Sequence, residues 1–388
     1  MNIINKARLP IFNYATDLEP GAEEQAINGA NHPKAIGHLA VMPDGHEGYG
    51  IPIGGVMALK DAVCPNAVGV DIGCEVGLVT TDYTLPIDEA VRTEIRDTIL
   101  ARVPVSFNVH DTRQVSRVVN SYVGDAVAGL VVALGNDVID RAYKSIGTLG
   151  GGNHFIEIVI DDNNRVCAMV HTGSRKFGHE IATLYNRVAK EENPYGELSW
   201  LDRGTPSFEG YIRAMWYAVY YARANIEAIS SSVTNILHEI IGEFEVVDAL
   251  TILHNYAEDI GNGIVLHRKG AIDASSGTLG IIPGSMGSHS YVVCGLGDEM
   301  SWNSASHGAG RDMSRNKATE NLTQELVDEA MKGIVHREFG KVKRGRLKGQ
   351  TDFGEAPQAY KNIDVVMNNQ KDLVSIVTKL TPIVNVKG

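Results

Sequence analysis

Residues 36–80 alternate short apolar runs with glycine, proline and aspartate, as IGHLAVMPDG, IPIGGVMAL and AVGVDIGCEVGLVTT. Apolar runs of this length, closed by turn-forming residues, predict buried strands. Residues 86–101 and 112–134 carry apolar positions at helical spacing. GTLGGGNHFIEIVI (147–160) predicts a glycine loop running into a strand, and VCAMVHTGSR (166–175) a strand ending in a polar turn. The longest helical pattern covers 208–241, with Ile212, Met215, Trp216, Val219 and Tyr220 near one face. Serines 230–232 weaken its middle, so one rod and a helix pair fit equally well. Residues 246–300 return to strands and glycine-rich turns, 316–332 are helical, and 363–380 are read as a further helix before the terminal VNVKG.

This mixture predicts an α/β (α+β) chain. No repeat of fixed period and no low-complexity linker divides it. Polar motifs run from residue 44 to residue 387, which predicts a single domain over 1–388. At 388 residues and 44% hydrophobic, the chain can bury a large core. Its formal charge of −12 argues against long-range attraction of polyanions. It leaves open a locally basic groove, or metal ions that bind phosphate. Cys64, Cys74, Cys167 and Cys294 are scattered, unlike a disulfide framework. The N-terminus lacks a basic start followed by an apolar core, and the apolar stretch 126–135 is too short to span a bilayer. A soluble, cytoplasmic protein without a membrane role is the expectation.

Four histidines sit in glycine-rich or polar segments beside apolar strand patterns: His154 in GGGNHFIE, His171 in MVHTGSR, His254 in ILHNYAED and His307 in SASHGAGR. Asp71 and Cys74 share AVGVDIGCEVG, where a tight turn aims both side chains at one centre. A thiolate, a carboxylate and imidazoles suit Mn, Co or Zn better than Mg or Ca. A lone cysteine is also commonly a buried apolar residue. Spacing alone does not choose between these readings, because the candidate ligands come from distant segments.

His307 precedes Gly308, Ala309, Gly310 and Arg311. Small residues leave room for a bulky adduct, and the guanidinium suits phosphate. An imidazole nitrogen can attack activated phosphorus, although a further metal ligand or a turn residue fits the same position. The loops 147–153 and 282–290 match neither phosphate-binding glycine signature. Asp44 and His46 lie in DGHEGYG, as support for a site or as a capped turn. The basic run Lys341, Lys343, Arg344, Arg346 and Lys348 reads as a solvated face or as a contact for a nucleic-acid backbone.

Taken together, VMPDGHEGYG with the following PIGG, VGVDIGC, GTLGGGNHFIE, HTGSR, HNYAED, HRKGA, IPGSMG, SHGAGR, AYKNID and the terminal VKG resemble the RtcB family of RNA-splicing and RNA-repair ligases. The likeness spans residues 38–388 in the family's order. It implies the family's own α/β fold, with mixed sheets around a deep metal-lined cleft. It implies a GTP- and Mn-dependent ligase that joins an RNA 3′-phosphate or 2′,3′-cyclic phosphate to a 5′-hydroxyl, in RNA repair or tRNA splicing. By the same resemblance, Asp71, Cys74 and His154 hold one metal and Cys74, His171 and His254 a second, while His307 becomes guanylylated. GTP would be held by Asn153, Phe155, Glu157, His254 and Asn255, by Pro283, Gly284, Ser285, Met286 and Ser290, and by His307, Gly308, Ala309, Gly310, Tyr360 and Lys387. Arg175, Lys269 and Arg311 correspond to residues that contact phosphates. The partners implied are the two RNA ends and an activating protein, around a monomer or weak oligomer.

Two positions depart from the family pattern. Glu75 follows Cys74 and Lys176 follows Arg175, where glycine is common. They put the substrate, more than the chemistry, in question. A metal-dependent phosphodiesterase or phosphatase without guanylylation, and a non-catalytic RNA-binding relative, are the competing readings.

Overall fold

The computed structural model describes residues 1–114 and 133–388. Two sheets organise it. The first has six strands in the order Asn2–Ile4, Ile11–Asn13, Ala35–His46, Ile53–Lys60, Ile264–Lys269 and Asn255–Asp259. Its pairings are antiparallel except that of Ile11–Asn13 with Ala35–His46. The second runs Val246–Leu253, Glu75–Thr84, Arg165–Thr172, Phe155–Ile160, Val374–Lys387, Ser290–Gly295 and Leu279–Ile282, with Val335–His336 pairing in parallel beside Val374–Lys387. The chain is thus a mixed α+β fold.

Residues 208–241 form part of one helix, Pro206–Ile241. Thr205 caps its start by accepting from Phe208 N, Pro206 occupies the first turn, and Gly242 ends it at φ +93°. The serines do not break it. Ser230 is buried, and a Cβ placed on Gly77 would lie only 3.8 Å from its Oγ and 2.8 Å from Ile226. Small residues let helix and sheet approach closely, so packing overrides the weak propensity of serine. Ile226, Ile229, Val233, Ile236 and Leu237 bury this face against Ile156, Ile158, Ala168 and Val170 of the sheet.

Two expectations need correction. The helix foreseen over 363–380 is confined to Ile363–Asn368, and Val374–Lys387 is a strand. The stretch VSIVTKLTPIVNV is dense in β-branched residues, which favour a pleated surface. As a strand it pairs Lys387 with Phe155 and so brings the chain's end to the site. Residues 316–332 form two short helices, Arg315–Asn321 and Gln324–Ala330, the second capped by Thr323. Most of the helix expected over 112–134 lies outside the described residues. Among the described residues, no helix is long and apolar enough to cross a membrane.

Candidate active site

Asp71 and Cys74 flank a turn that enters the strand Glu75–Thr84. Gly73 adopts φ +72° there, and a Cβ on it would lie 2.8 Å from Val219 Cα of the long helix. Only glycine fits this combination. The turn is tied down when Cys74 N donates to Asp71 O (3.2 Å), Gly73 N to Asn255 O (2.9 Å) and Asn255 Nδ2 to Asp71 O (3.0 Å).

Three imidazoles converge on this turn from the second sheet. His154 precedes the strand Phe155–Ile160, His171 lies in Arg165–Thr172, and His254 links Val246–Leu253 to Asn255–Asp259. His154 Nδ1 donates to Leu149 O (3.0 Å) and His171 Nδ1 to Asn153 O (3.3 Å). A carbonyl can only accept, so both rings are held in the tautomer whose Nε2 keeps its lone pair. Those Nε2 atoms lie 3.6 and 3.2 Å from Cys74 Sγ, and His154 Nε2 is 3.2 Å from Asp71 Oδ2. His254 Nδ1 is buried without a hydrogen-bond partner. The ligand atoms form two groups, Asp71, Cys74, His154 and Cys74, His171, His254, each within 4.8 Å. Burial, then Asp71, pushes the Cys74 thiol well above its ordinary range, and burial pushes His171 and His254 well below theirs. Neutral imidazoles and an orphaned buried nitrogen around one sulfur fit divalent cations, which would also reverse the penalty on the thiolate.

The glycine loop 147–153 depends on Asn225, a buried residue of the long helix. Its Oδ1 accepts from Gly147 N (2.8 Å) and Thr148 N (3.1 Å), and its Nδ2 reaches Thr148 O, Thr172 Oγ1 and Gly173 O within 3.3 Å. One amide thus ties together the segments carrying His154 and His171.

His307 faces the metal groups, its ring centroid 4.9 Å from that of His254. Its Nδ1 lies 2.7 Å from Oδ2 of Asp44, and its backbone N donates to the same oxygen at 3.2 Å. Asp44 is wholly buried, with its own N donating to Ser306 Oγ (3.3 Å). Nδ1 makes no hydrogen bond by geometry, but a carboxylate oxygen this close still favours the tautomer with a proton on Nδ1. Nε2 is then the free nucleophilic atom.

A cavity of about 450 Å³ opens over these groups. Asp71, Cys74, His171 and His254 line it at one end, with His307, Gly308, Ala309, Gly310 and Arg311 beside them. Asn153, Phe155, Asn255, Lys269, Pro283, Gly284, Tyr360 and Lys387 complete the expected lining. Within this lining Arg311 lies over the Tyr360 ring (5.0 Å), and Lys387 Nζ sits 5.6 and 5.4 Å from the Phe155 and Tyr360 rings. Glu355, which the sequence reading overlooked, gathers these cations by pairing with Arg315 (2.6 Å), Arg311 (3.3 Å) and Lys387 (3.7 Å) and accepting from Tyr360. Burial alone would raise its carboxyl, but Lys387, Arg315 and Arg311 outweigh that and hold it low.

Ser285, Ser290, Met286, Glu157 and Arg175 stand behind the cavity wall, while Lys269 reaches it with its ammonium turned into the protein. Ser290 Oγ accepts from Gly284 N (3.0 Å), and Ser285 N donates to Ser288 Oγ (2.7 Å), so both shape the 283–290 turn. Met286 packs with Val327 and Phe353. Glu157 is buried, accepts from Asn385 Nδ2 (2.6 Å), and is pushed up by burial to about 7. Arg175 turns toward the glycine loop, donating to Thr148 Oγ1 (3.2 Å) and Ser106 O (3.0 Å). Lys269 Nζ is buried, donating to the carbonyls of Tyr49, Ile51 and Asn66, and burial brings it down to about 8.

The two departures face away from the cavity. Glu75 is fully buried and pairs with Arg223 of the long helix at 2.6 Å. Lys176 is exposed and lies 3.4 Å from Glu180 on its own helix. Neither lines the cavity.

A family model described as tRNA-splicing ligase RtcB matches residues 25–388. The RNA-splicing ligase RtcB of Escherichia coli K12 is 35% identical over 98% of both chains. The tRNA-splicing ligase RtcB of Nanoarchaeum equitans is 29% identical over 99% of this chain and 96% of its own, and the RNA-splicing ligase RtcB of Mycobacterium tuberculosis is 29% identical over 94% and 100%.

Proposed function

Because the chain belongs to the RtcB family of RNA-splicing ligases, we propose that it joins an RNA 3′-phosphate or 2′,3′-cyclic phosphate to a 5′-hydroxyl, with GTP as co-substrate. Residues 1–388 act as one ligase domain in RNA repair or tRNA splicing in the cytoplasm. The carrying observation is the close approach of His307 Nδ1 to the buried Asp44 carboxylate, beside the paired metal groups.

Asp71, Cys74 and His154, and Cys74, His171 and His254, would hold two divalent ions of the Mn type, which would neutralise phosphate charge as pyrophosphate leaves. Asp44 keeps the His307 proton on Nδ1. His307 Nε2 attacks the α-phosphorus of GTP, so a P–N bond forms as the bond to pyrophosphate breaks. An oxygen of the RNA 3′-phosphate then attacks the same phosphorus and frees the imidazole. The 5′-hydroxyl attacks the activated RNA phosphorus, loses its proton and expels GMP. Water first opens a cyclic end to the 3′-phosphate. Arg311 and Lys269 supply positive charge along the phosphates, and Tyr360, Phe155 and Lys387 offer aromatic faces and a cation for the guanine end.

The test incubates the protein with a 3′-phosphate RNA, a 5′-hydroxyl RNA and GTP, comparing Mn²⁺ with other ions and GTP with ATP. A joined strand that requires GTP supports the reading. Removal of the 3′-phosphate or opening of the cyclic end, without joining and without consumption of GTP, would instead favour a metal-dependent phosphodiesterase or phosphatase.

A further inference from the structure

The basic run is not a featureless surface. Residues 340–352 fold back on themselves, with Val342 N donating to Gln350 O (3.0 Å), Gly349 N to Val342 O (2.9 Å) and Asp352 N to Gly340 O (2.8 Å). The root of this arm is anchored where Phe339 meets Phe353 with ring centroids 5.5 Å apart. Phe353 belongs to the same buried cluster as Met286, the residue that follows the Pro283, Gly284, Ser285 turn of the nucleotide cavity.

Between the arm and the body lies a second cavity of about 360 Å³, lined by the cations Arg337, Lys341 and Lys343 and by the carboxylates Glu338, Asp352 and Glu355. Arg315 and Lys387 line both this cavity and the one over His307, so the two spaces adjoin. Residues 337–348 hold six basic side chains (Arg337, Lys341, Lys343, Arg344, Arg346, Lys348) against one acidic, Glu338, in a chain of net charge −12. Arg346 pairs with Glu320, and Lys341 donates to Thr351 Oγ1 (2.9 Å). Lys343, Arg344 and Lys348 are exposed and make no ion pair among the described residues. An ordered arm of like charges carries self-repulsion that a bound polyanion would offset.

We propose that this arm and the cavity beneath it form a track for the phosphodiester backbone of the RNA being joined, an inference that rests on the reading of the chain as an RNA ligase. The contacts are electrostatic and sequence-independent, and they lead the strand from solvent toward His307 past Arg315 and Lys387.

The test uses the full chain and a fluorescein-labelled single-stranded RNA with a 3′-phosphate, read by anisotropy in Mn²⁺ without GTP at several salt concentrations. Transfer of label from GTP to protein is measured in parallel. K343Q/R344Q/K348Q should weaken RNA binding about tenfold or more near 0.1 M salt and flatten the slope of log affinity against log salt by about 2, while taking up label as the parent does. K343R/R344K/K348R should bind like the parent. RNA affinity and salt slope unchanged in the glutamine variant would overturn the proposal. So would loss of label uptake along with RNA binding, since the arm would then merely support the nucleotide cavity. A parent protein that binds RNA through the arm but takes up no label would leave the track standing and count against the ligase reading alone.

Discussion

His307 and Asp44 are 263 residues apart in sequence, yet Nδ1 of the imidazole sits 2.7 Å from Oδ2 of the carboxylate. The carboxylate is wholly buried and also accepts from the His307 backbone. A buried carboxylate oxygen at this distance favours one tautomer of the imidazole. Asp44→Asn should therefore lower guanylylation by about 100-fold or more, since an amide can present a donor to Nδ1 and favour the wrong tautomer. Rate of label uptake against an unchanged melting transition is the readout, and a variant within a few-fold of the parent would show Asp44 to be only a structural residue.

Cys74 belongs to both metal groups, and His254 to one. Elemental analysis after loading with Mn²⁺ should find about two ions in the parent, about one in His254→Ala and almost none in Cys74→Ala. Equal metal content in Cys74→Ala and the parent would make the sulfur a buried apolar group and remove the bridging role.

Asn225 supports the same centre from behind. Truncation to alanine would strand the amides of Gly147 and Thr148 and three acceptors in the interior. The expected loss is about 3 kcal/mol or more in urea unfolding, together with weaker metal binding, because the His154 and His171 segments lose their common tether. A loss below about 1 kcal/mol would mean that solvent replaces the amide.

Much of this architecture was legible in the chain. The strands of residues 36–80 and the turn between Asp71 and Cys74 follow from apolar runs punctuated by glycine. What failed or stayed open did so because distant segments decide it. Ile363, Val366 and Met367 have helical spacing, but the β-branched run after Leu373 is a strand held between Phe155–Ile160 and Ser290–Gly295. The long helix continues through its serines because Ser230 packs near Gly77, a tertiary fact that no helical propensity contains. Asp44 fitted support for a site and a capped turn equally well, because its partner lies in a remote segment. Asn225, a polar residue on an otherwise apolar stripe, was a signal that could have been found. Glu355 gave none, since its meaning comes only from the cations that converge on it.

Acid stability should depend on buried histidines remote from the cavity. His267 Nε2 accepts from Cys64 N (3.0 Å) and its Nδ1 donates to Met57 O (3.1 Å), while His32 Nε2 lies 2.9 Å from Leu198 O. Burial brings both from 6.5 to about 4. Between those values the unfolded chain binds protons that the folded chain refuses, so stability falls as pH drops from 6.5 toward 4. These two groups contribute up to about 2.7 kcal/mol per pH unit to the slope, beside the other buried histidines. His267→Gln should reduce the slope by up to about 1.4 kcal/mol per pH unit in urea titrations across this window, and an unchanged slope would assign the acid sensitivity elsewhere.

Whether His307 carries the nucleotide is decided by label transfer from α-³²P GTP in Mn²⁺. An acid-labile label is expected on the parent protein and none on His307→Ala, with a normal melting transition and metal content in that variant. A labelled His307→Ala protein, or a metal-loaded parent that takes up no label, would contradict it.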